Sequence, residues 1–371
     1  MSSPSSSRSS PVTESDIHVK PPILITGATG FIGRYLLRRL CAAGAPSGIR
    51  CLVRANSDVA ELESLGVELV HGDVTDWEAL RAAVDGCRQV VHLANLYSFW
   101  ERDPSLFRRI NVEGTRLTAQ AAIEAGVDLF LHVSTVTMFG RPNQVPFNET
   151  SPPSRKQFSE YAKTKFEGDE IVESLARNHR LPLAIVYPGS VLGAGDPKSS
   201  GRYIADIVHR RMPATLFADR VITWVHVDDV ANALQQLLSL DDAAGRRYIL
   251  GGSRLTIHQL NRLIEAASGV RLPRLELPDR LSLLSARLLT AVAQLTGWSP
   301  PFGLSTDVAR TMIGGVQADG SRICQDLDFE YTDVRVAVEE AVAALGESVD
   351  HEAGDQEAGD EKSVCQESDG I

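Results

Sequence analysis

Six short apolar runs punctuate the first half of the chain: "ILIT" (23–26), "CLVR" (51–54), "ELVHG" (68–72), "VVHLA" (90–94), "LFLHVS" (129–134) and "LAIVYP" (183–188). Segments of helical length separate most of them. Runs that are apolar at consecutive positions, not at alternate ones, belong to strands covered on both faces, and helices on each side of a parallel sheet provide that cover. The pattern predicts an α/β fold over 21–188, a doubly wound parallel sheet of the Rossmann type. After Pro188 the alternation gives way to Gly- and Pro-rich loops, a strand-like "VITWVHV" (221–227), a helix from Asp229 to about Leu240, "RYILGG" (247–252) and a Leu-rich helical stretch over 279–296. This half is expected to form a smaller, mostly helical substrate lobe over 189–345, interleaved with the last elements of the sheet.

The 279–296 stretch carries Arg287 and falls short of the roughly 20 residues that cross a bilayer. It reads as a lid or core helix, with peripheral membrane contact as the alternative because its apolar face is wide. The two ends, 1–20 (Ser/Pro-rich) and 346–371 (acidic), hold too little apolar surface to offset chain entropy and are expected to be disordered tails.

Charge and cysteine content narrow the class. Of the net charge of −11, nine acids against one Lys place −8 in 346–371, and the remaining −3 is ordinary. No basic stripe appears, so nucleic acid is not an expected partner. The five cysteines are odd in number, scattered, and lack metal-ligand spacing, which fits a reducing cytoplasm and no bound metal. The first 13 residues lack the apolar run of a secretory signal.

"ILITGATGFIGRYLLRRL" places Gly27, Gly30 and Gly33 directly after a strand and at the start of a helix. A Cβ at those positions would block the tight turn, the approach of a pyrophosphate and the close helix–strand contact. Thr29, Phe31 and Ile32 complete this candidate phosphate loop. At the end of the second strand an acid would bind the adenosine ribose hydroxyls, whereas Arg pairs with a 2′-phosphate. Arg54 stands there and no acid precedes Asp58, so NADP(H) is preferred, with NAD(H) as the other cofactor. "HGDVTD" offers Asp73 and Val74 to the adenine, and "HLAN" brings the backbone of Leu93 and Ala94 along the cofactor.

In "SEYAKTKFEGDE" a phenol and an ammonium, Tyr161 and Lys165, stand four residues apart and so share one helical face. Together with "TGATGFIG", "GDV", "HLAN", "NVEGT", "HVSTVTMFG", "YPGSVLGAGD" and "WVHVDDVANAL", this stretch resembles the extended short-chain dehydrogenase/reductase family over residues 21 to 345. The resemblance implies that Tyr161 is the acid/base, and that Lys165 lowers the phenol's pKa and holds the nicotinamide ribose. It implies that Thr135 binds the substrate oxygen, with Ser134 and Thr137 as competitors, and that Pro188 and Gly189 position the nicotinamide. Asn111 either supports the Lys or plays a structural role in its helix. Homodimers are common in this family.

Within the family, dehydratases carry an Asp-Glu pair where this chain has Val136 and Thr137. Sugar-nucleotide enzymes usually carry an Asn where Ser190 stands and an Arg at the position of Ile222, although Arg220 is close enough to substitute. In place of those anchors are Tyr97, Phe99 and Trp100 of "NLYSFW", with Met212 and Trp224 in the smaller lobe. Such groups suit a flat, apolar substrate, or else pack the lobe interface. This half most resembles the 3β-hydroxysteroid dehydrogenase and dihydroflavonol reductase branch. The expected function is an NADP(H)-dependent oxidoreductase interconverting a secondary alcohol and a ketone on a sterol-, flavonoid- or lipid-like molecule. The alternatives are a sugar-nucleotide epimerase or reductase and a non-catalytic NADP-sensing protein.

Overall fold

All six apolar runs are strands of one parallel sheet: β1 (Ile23–Thr26), β2 (Ile49–Val53), β3 (Glu68–His71), β4 (Gln89–His92), β5 (Leu129–Val133) and β6 (Leu183–Pro188). The structure is a computed structural model that describes residues 20, 22–44 and 46–346. Apart from Lys20 and Gly346, the two expected tails lie outside the described residues, as does Cys365. The helices between the strands are α1 (Phe31–Ala42), α2 (Ala60–Ser64), α3 (Trp77–Val84), α4 (Ser105–Phe107), α5 (Thr115–Ala125) and α6 (Glu160–His179). A π-helical stretch, Arg108–Gly114, leads into α5.

Beyond β6 come β7 (Ser190–Leu192), α7 (Ser199–Val208), β8 (Thr215–Leu216), β9 (Val221–His226), α8 (Val227–Ser239), β10 (Arg247–Leu250), β11 (Ser253–Thr256), α9 (Ile257–Ser268), β12 (Glu276–Leu277) and α10 (Asp279–Thr296). They are followed by α11 (Thr306–Gly314), α12 (Ser321–Asp326) and a last helix over 334–346. The main sheet runs β10-β6-β5-β4-β1-β2-β3, so β10 returns from the second half of the chain to extend it. A three-stranded sheet, β11-β9-β7, and the pair β12-β8 stand apart from it.

Successive residues of a strand face opposite sides, and the two sides of this sheet form separate cores. Leu24, Val90, Phe130 and Ile185 pack with Leu80, Ala119 and Val172 on the side of α3, α5 and α6. Ile23, Ile25, Val91, Leu131 and Val186 pack with Leu36, Leu37, Val230 and Leu234 on the side of α1 and α8. Only the edge strand β3 shows exposed positions, Glu68 and His71. Because β1 pairs with β2 on one side and β4 on the other, the connections leaving β1 and β4 diverge and open a crevice at their carboxyl ends. Arg54, Gly72, Leu93, Ala94 and Ser134, expected as strand ends, all lie just past the last paired residue, in the loops around that crevice.

Of the readings expected for α10, the core helix is not what forms. Only Ser282, Ala286 and Ala293 of this helix are buried, Ala286 in a small core with Phe217, Leu304 and Ala309.

On its face of the sheet α6 also packs against the π-helical stretch, and one glycine sets that distance. A Cβ on Gly168 would stand 2.9 Å from the Asn111 carbonyl oxygen in the π-helical stretch. Alanine in mid-helix ordinarily adds about 1 kcal/mol over glycine, but here it meets backbone, and overpacking of this kind costs about 1–3 kcal/mol. Gly168→Ala is therefore expected to lower the thermal unfolding midpoint, read by circular dichroism; a raised midpoint would mean that α6 stands farther from Asn111.

Candidate active site

The turn after β1 is shaped by glycine. Gly27 has φ +75°, and a Cβ on it would lie 2.7 Å from the Ala94 nitrogen and 2.8 Å from the Leu93 carbonyl carbon. The loop thus rests on the backbone that leaves β4, joining the two sequence motifs that were expected along one cofactor. Gly30 N–H donates to the Gly27 carbonyl at 3.0 Å, and a Cβ on Gly33 would stand 2.5 Å from that same oxygen. Helix α1 therefore begins directly on the turn, with Phe31 and Ile32 in its first turn. It has no side-chain cap at Gly30 and no acid in that turn, so its leading N–H groups are free to meet an anion. This cradle fits the pyrophosphate of a nicotinamide adenine dinucleotide.

The remaining cofactor candidates sit around the same crevice. Arg54 is exposed one residue beyond β2 and forms no ion pair among the described residues. Arg34, by contrast, donates to the Thr29 carbonyl at 3.2 Å and pairs with Asp58 at 3.4 Å and Glu61 at 3.5 Å. Asp73 accepts from the Thr75 N–H at 2.9 Å and the Thr75 hydroxyl at 2.7 Å, which fixes its loop. The side chain of Val74 is buried against Gly114, which leaves only its backbone for a ligand, because the close approach of that glycine covers it. Gly189 N–H donates to the Leu250 carbonyl at 2.8 Å, so the strand end at Pro188 is held by β10.

Helix α6 starts at Ser159, whose hydroxyl accepts from the Ala162 N–H at 3.1 Å. That start orients Tyr161, Lys165 and Asp169, at i, i+4 and i+8, along one buried face. Lys165 Nζ donates to the Val133 carbonyl at 3.0 Å. Asp169 accepts from the Ser134 hydroxyl at 2.8 Å and lies 3.0 Å from His132 Nε2. Behind them a buried polar row crosses three strands: His92 Nδ1 is 2.9 Å from Thr26 Oγ1, its Nε2 is 3.0 Å from Thr115 Oγ1, and its ring stacks on His132 at 5.6 Å. His132 Nδ1 has no partner.

Among the three adjacent hydroxyls the geometry separates the roles. Ser134 turns inward to Asp169, whereas Thr135 Oγ1 accepts the Thr137 N–H at 3.2 Å, lies 3.1 Å from Thr137 Oγ1 and is near enough to Tyr161 to favour the ionised phenol. Tyr97 and Phe99 pack edge-on against Tyr161 at 5.1 and 6.0 Å between ring centres. Asn111 Oδ1 accepts the Leu96 N–H at 2.7 Å while Nδ2 donates to Thr164 Oγ1 at 3.1 Å. It ties the aromatic segment to α6 through Lys165's neighbour instead of reaching the ammonium. Trp100 is half-buried in that segment. Trp224 is 6% exposed in the cluster that holds Leu192 and Ile222, with its indole N–H unpartnered; Met212 packs against this cluster and Ser190 pairs with Trp224 in register. Arg220 is engaged by Asp279, at 2.8 Å from its Nε.

Burial dominates the electrostatics. It holds the Tyr161 phenol well above its ordinary range, reinforced by Tyr97 and opposed by Thr135. Burial also lowers the Lys165 ammonium to about 8, against the opposing pull of Asp169, and raises the Asp169 carboxyl to about 7, against Lys165 and Ser134. His92 and His132 are pushed far down and are neutral. Asp169 and the two histidines were missed in the sequence, although Asp169 repeats the four-residue spacing of Tyr161 and Lys165. An open cleft of about 550 Å³, lined by Arg155, Lys163, Glu167 and Asp307, lies along the same helix but does not include Tyr161, Lys165 or Thr135.

Residues 23–251 match the NAD dependent epimerase/dehydratase family. Sterol demethylase protein B of Methylococcus capsulatus is 33% identical over 328 residues, 86% of this chain and 97% of its own. Ceramide reductase of Caulobacter vibrioides is 29% identical over 290 residues, 76% and 81% of the two chains. The crystal structure of gox2253 superposes with a TM-score of 0.77 at 31% identity, covering 89% of this chain and 99% of that one. Sugar-nucleotide enzymes are also among the relatives. Among the described residues no helix is long and apolar enough to cross a membrane. A glycine cradle for a dinucleotide beside a buried Tyr-Lys pair, on a sheet matched by this family over most of its length, means that the chain belongs to the NAD dependent epimerase/dehydratase family, the extended short-chain oxidoreductases.

Proposed function

We propose that the protein is an NADP(H)-dependent oxidoreductase that interconverts a ketone and a secondary alcohol on an apolar, lipid-like molecule. The observation that carries this reading is the seating of Tyr161 against Tyr97 and Phe99, a proton donor walled by aromatic rings. Rings of this kind bind flat apolar surface and exclude water. Sterol demethylase protein B and ceramide reductase, among the relatives, carry names that point to lipid substrates. The engagement of Arg220 by Asp279 disfavours the sugar-nucleotide alternative, since the guanidinium that would take a phosphate is already paired.

A bound nicotinamide supplies the hydride. Thr135 orients the substrate oxygen and Tyr161, kept protonated by burial, gives that oxygen its proton as the ketone is reduced. Lys165, one helical turn along, stabilises the phenolate left behind. Asp169 keeps the Lys165 ammonium charged, and the Ser134 and Val133 contacts fix both groups. Arg54, unpaired at the crevice rim, is available to a 2′-phosphate.

Three outcomes are expected. Tyr161→Phe lowers NADPH-dependent reduction of sterol, flavonoid and long-chain ketones by about 10²–10⁴-fold; turnover confined to keto-sugar nucleotides would overturn the substrate reading. In Asp169→Asn the carboxylate that raises the Lys165 and Tyr161 pKa values is gone, so both fall. The alkaline limb of the reduction pH profile then moves down by about half a unit or more, an effect that a purely structural role would not produce. Arg54→Ala raises KM for NADPH at least about tenfold and leaves KM for NADH unchanged; equal effects on both would refute the NADP assignment.

A further inference from the structure

Among the described residues, every exposed large apolar side chain except Val145 lies between Leu275 and Phe302, on α10 and its flanks. At about 100° per residue, Leu281, Leu284, Leu288, Val292 and Leu295 fall within an arc of about 80°. Leu295 is 88% exposed, and Trp298, two residues past the helix, 81%. The opposite side of the helix carries the small residues Ser282, Ala286 and Ala293, which seat it on the molecule and leave the leucines outside.

The polar residues around this stripe are basic. Arg280 and Arg287 are exposed along one flank of it, and Arg271 and Arg274 are exposed on the preceding loop. The acids just before the stripe are Asp279, which is paired with Arg220, and Glu276, 3.5 Å from His258 Nδ1; Glu101 and Asp103 flank Arg102 near its other end. From 280 to 305 there is no acid at all, in a chain of net charge −11. An apolar stripe with a basic flank, capped by Trp, is the arrangement of helices that lie in a membrane interface.

We propose that this face of α10 docks on an anionic lipid bilayer, with the stripe in the acyl boundary and the Arg flank at the headgroups. A second copy of the chain fits less well, because a two-fold contact would bring a second Arg flank against the first with no facing carboxylate. The face also adjoins the reactive site: Ser305 Oγ donates to the Phe99 carbonyl at 2.8 Å, and the Arg102 guanidinium packs on Gly297 at the end of α10. Phe99 in turn packs on Tyr161. Docking there places the rim of the site at the bilayer surface; that this delivers substrate rests on the lipid-substrate reading, but docking itself does not.

The test is co-sedimentation of the full-length protein with vesicles of equimolar phosphatidylcholine and phosphatidylglycerol, against vesicles of phosphatidylcholine alone, with no activity assay involved. Binding to the anionic vesicles is expected, together with a blue shift of Trp fluorescence that is absent from Trp298→Phe. The exposed double variant Leu288→Glu/Leu295→Glu, with an unchanged unfolding midpoint, is expected to lose at least about tenfold in partitioning. Arg280→Glu/Arg287→Glu loses at least about fivefold. No binding to either vesicle, or binding indifferent to both double variants, overturns the proposal. So does a wild-type dimer in light scattering that Leu288→Glu/Leu295→Glu converts to monomer without any vesicle binding in either protein, which would make the face a contact between copies.

Discussion

The site depends on keeping a charged amine and a carboxylate inside the protein beneath a phenol. Lys165 and Asp169 are both buried, and burial works against the charge of each. Buried charges persist only where partners compensate them. Here the Val133 carbonyl, the Ser134 hydroxyl and His132 supply those partners, all from the end of β5. One helix face and one strand end therefore cannot move independently. Gly168 lets α6 close on the Asn111 carbonyl, which fixes the helix from its other neighbour, and Tyr161 lies on the same buried face.

The same constraint links the reactive group to both of its expected neighbours. Toward the crevice, Gly27 rests on Leu93 and Ala94, so the cradle after β1 and the segment that continues into Tyr97 and Phe99 share one piece of backbone. Asn111 then fastens that segment to α6 through Leu96 and Thr164. Distances among cradle, aromatic wall and phenol are set by backbone contacts and buried hydrogen bonds, the stiffest means available to a fold. The raised pKa of Tyr161 follows from this closure, since burial beneath Tyr97 and Phe99 keeps water from the phenol.

The outer region obeys a different rule. α10 is attached through small side chains over a small core, and its leucines face outward beside exposed arginines. Apolar surface of that kind beside exposed arginines is the ground of the membrane proposal. The small core beneath α10 is joined to the aromatic segment, since Ser305 Oγ donates to the Phe99 carbonyl.

Much of this was legible in the chain itself. Continuous apolar runs determined the doubly wound sheet, and the glycine spacing determined the cradle, because backbone geometry leaves few alternatives to either. The four-residue spacing of Tyr161 and Lys165 put both on one face, a property of the helix alone. The tertiary structure decided what long-range packing controls: which of Ser134, Thr135 and Thr137 faces the phenol, that Arg220 is taken by Asp279, and that Trp224 is buried in the core. It also stacked His92 on His132 by aligning β4 and β5, buried the Tyr161 phenol, and turned the leucines of α10 outward. Periodicity shows that a helix has an apolar face; only the neighbours packed around it settle whether that face meets protein or solvent.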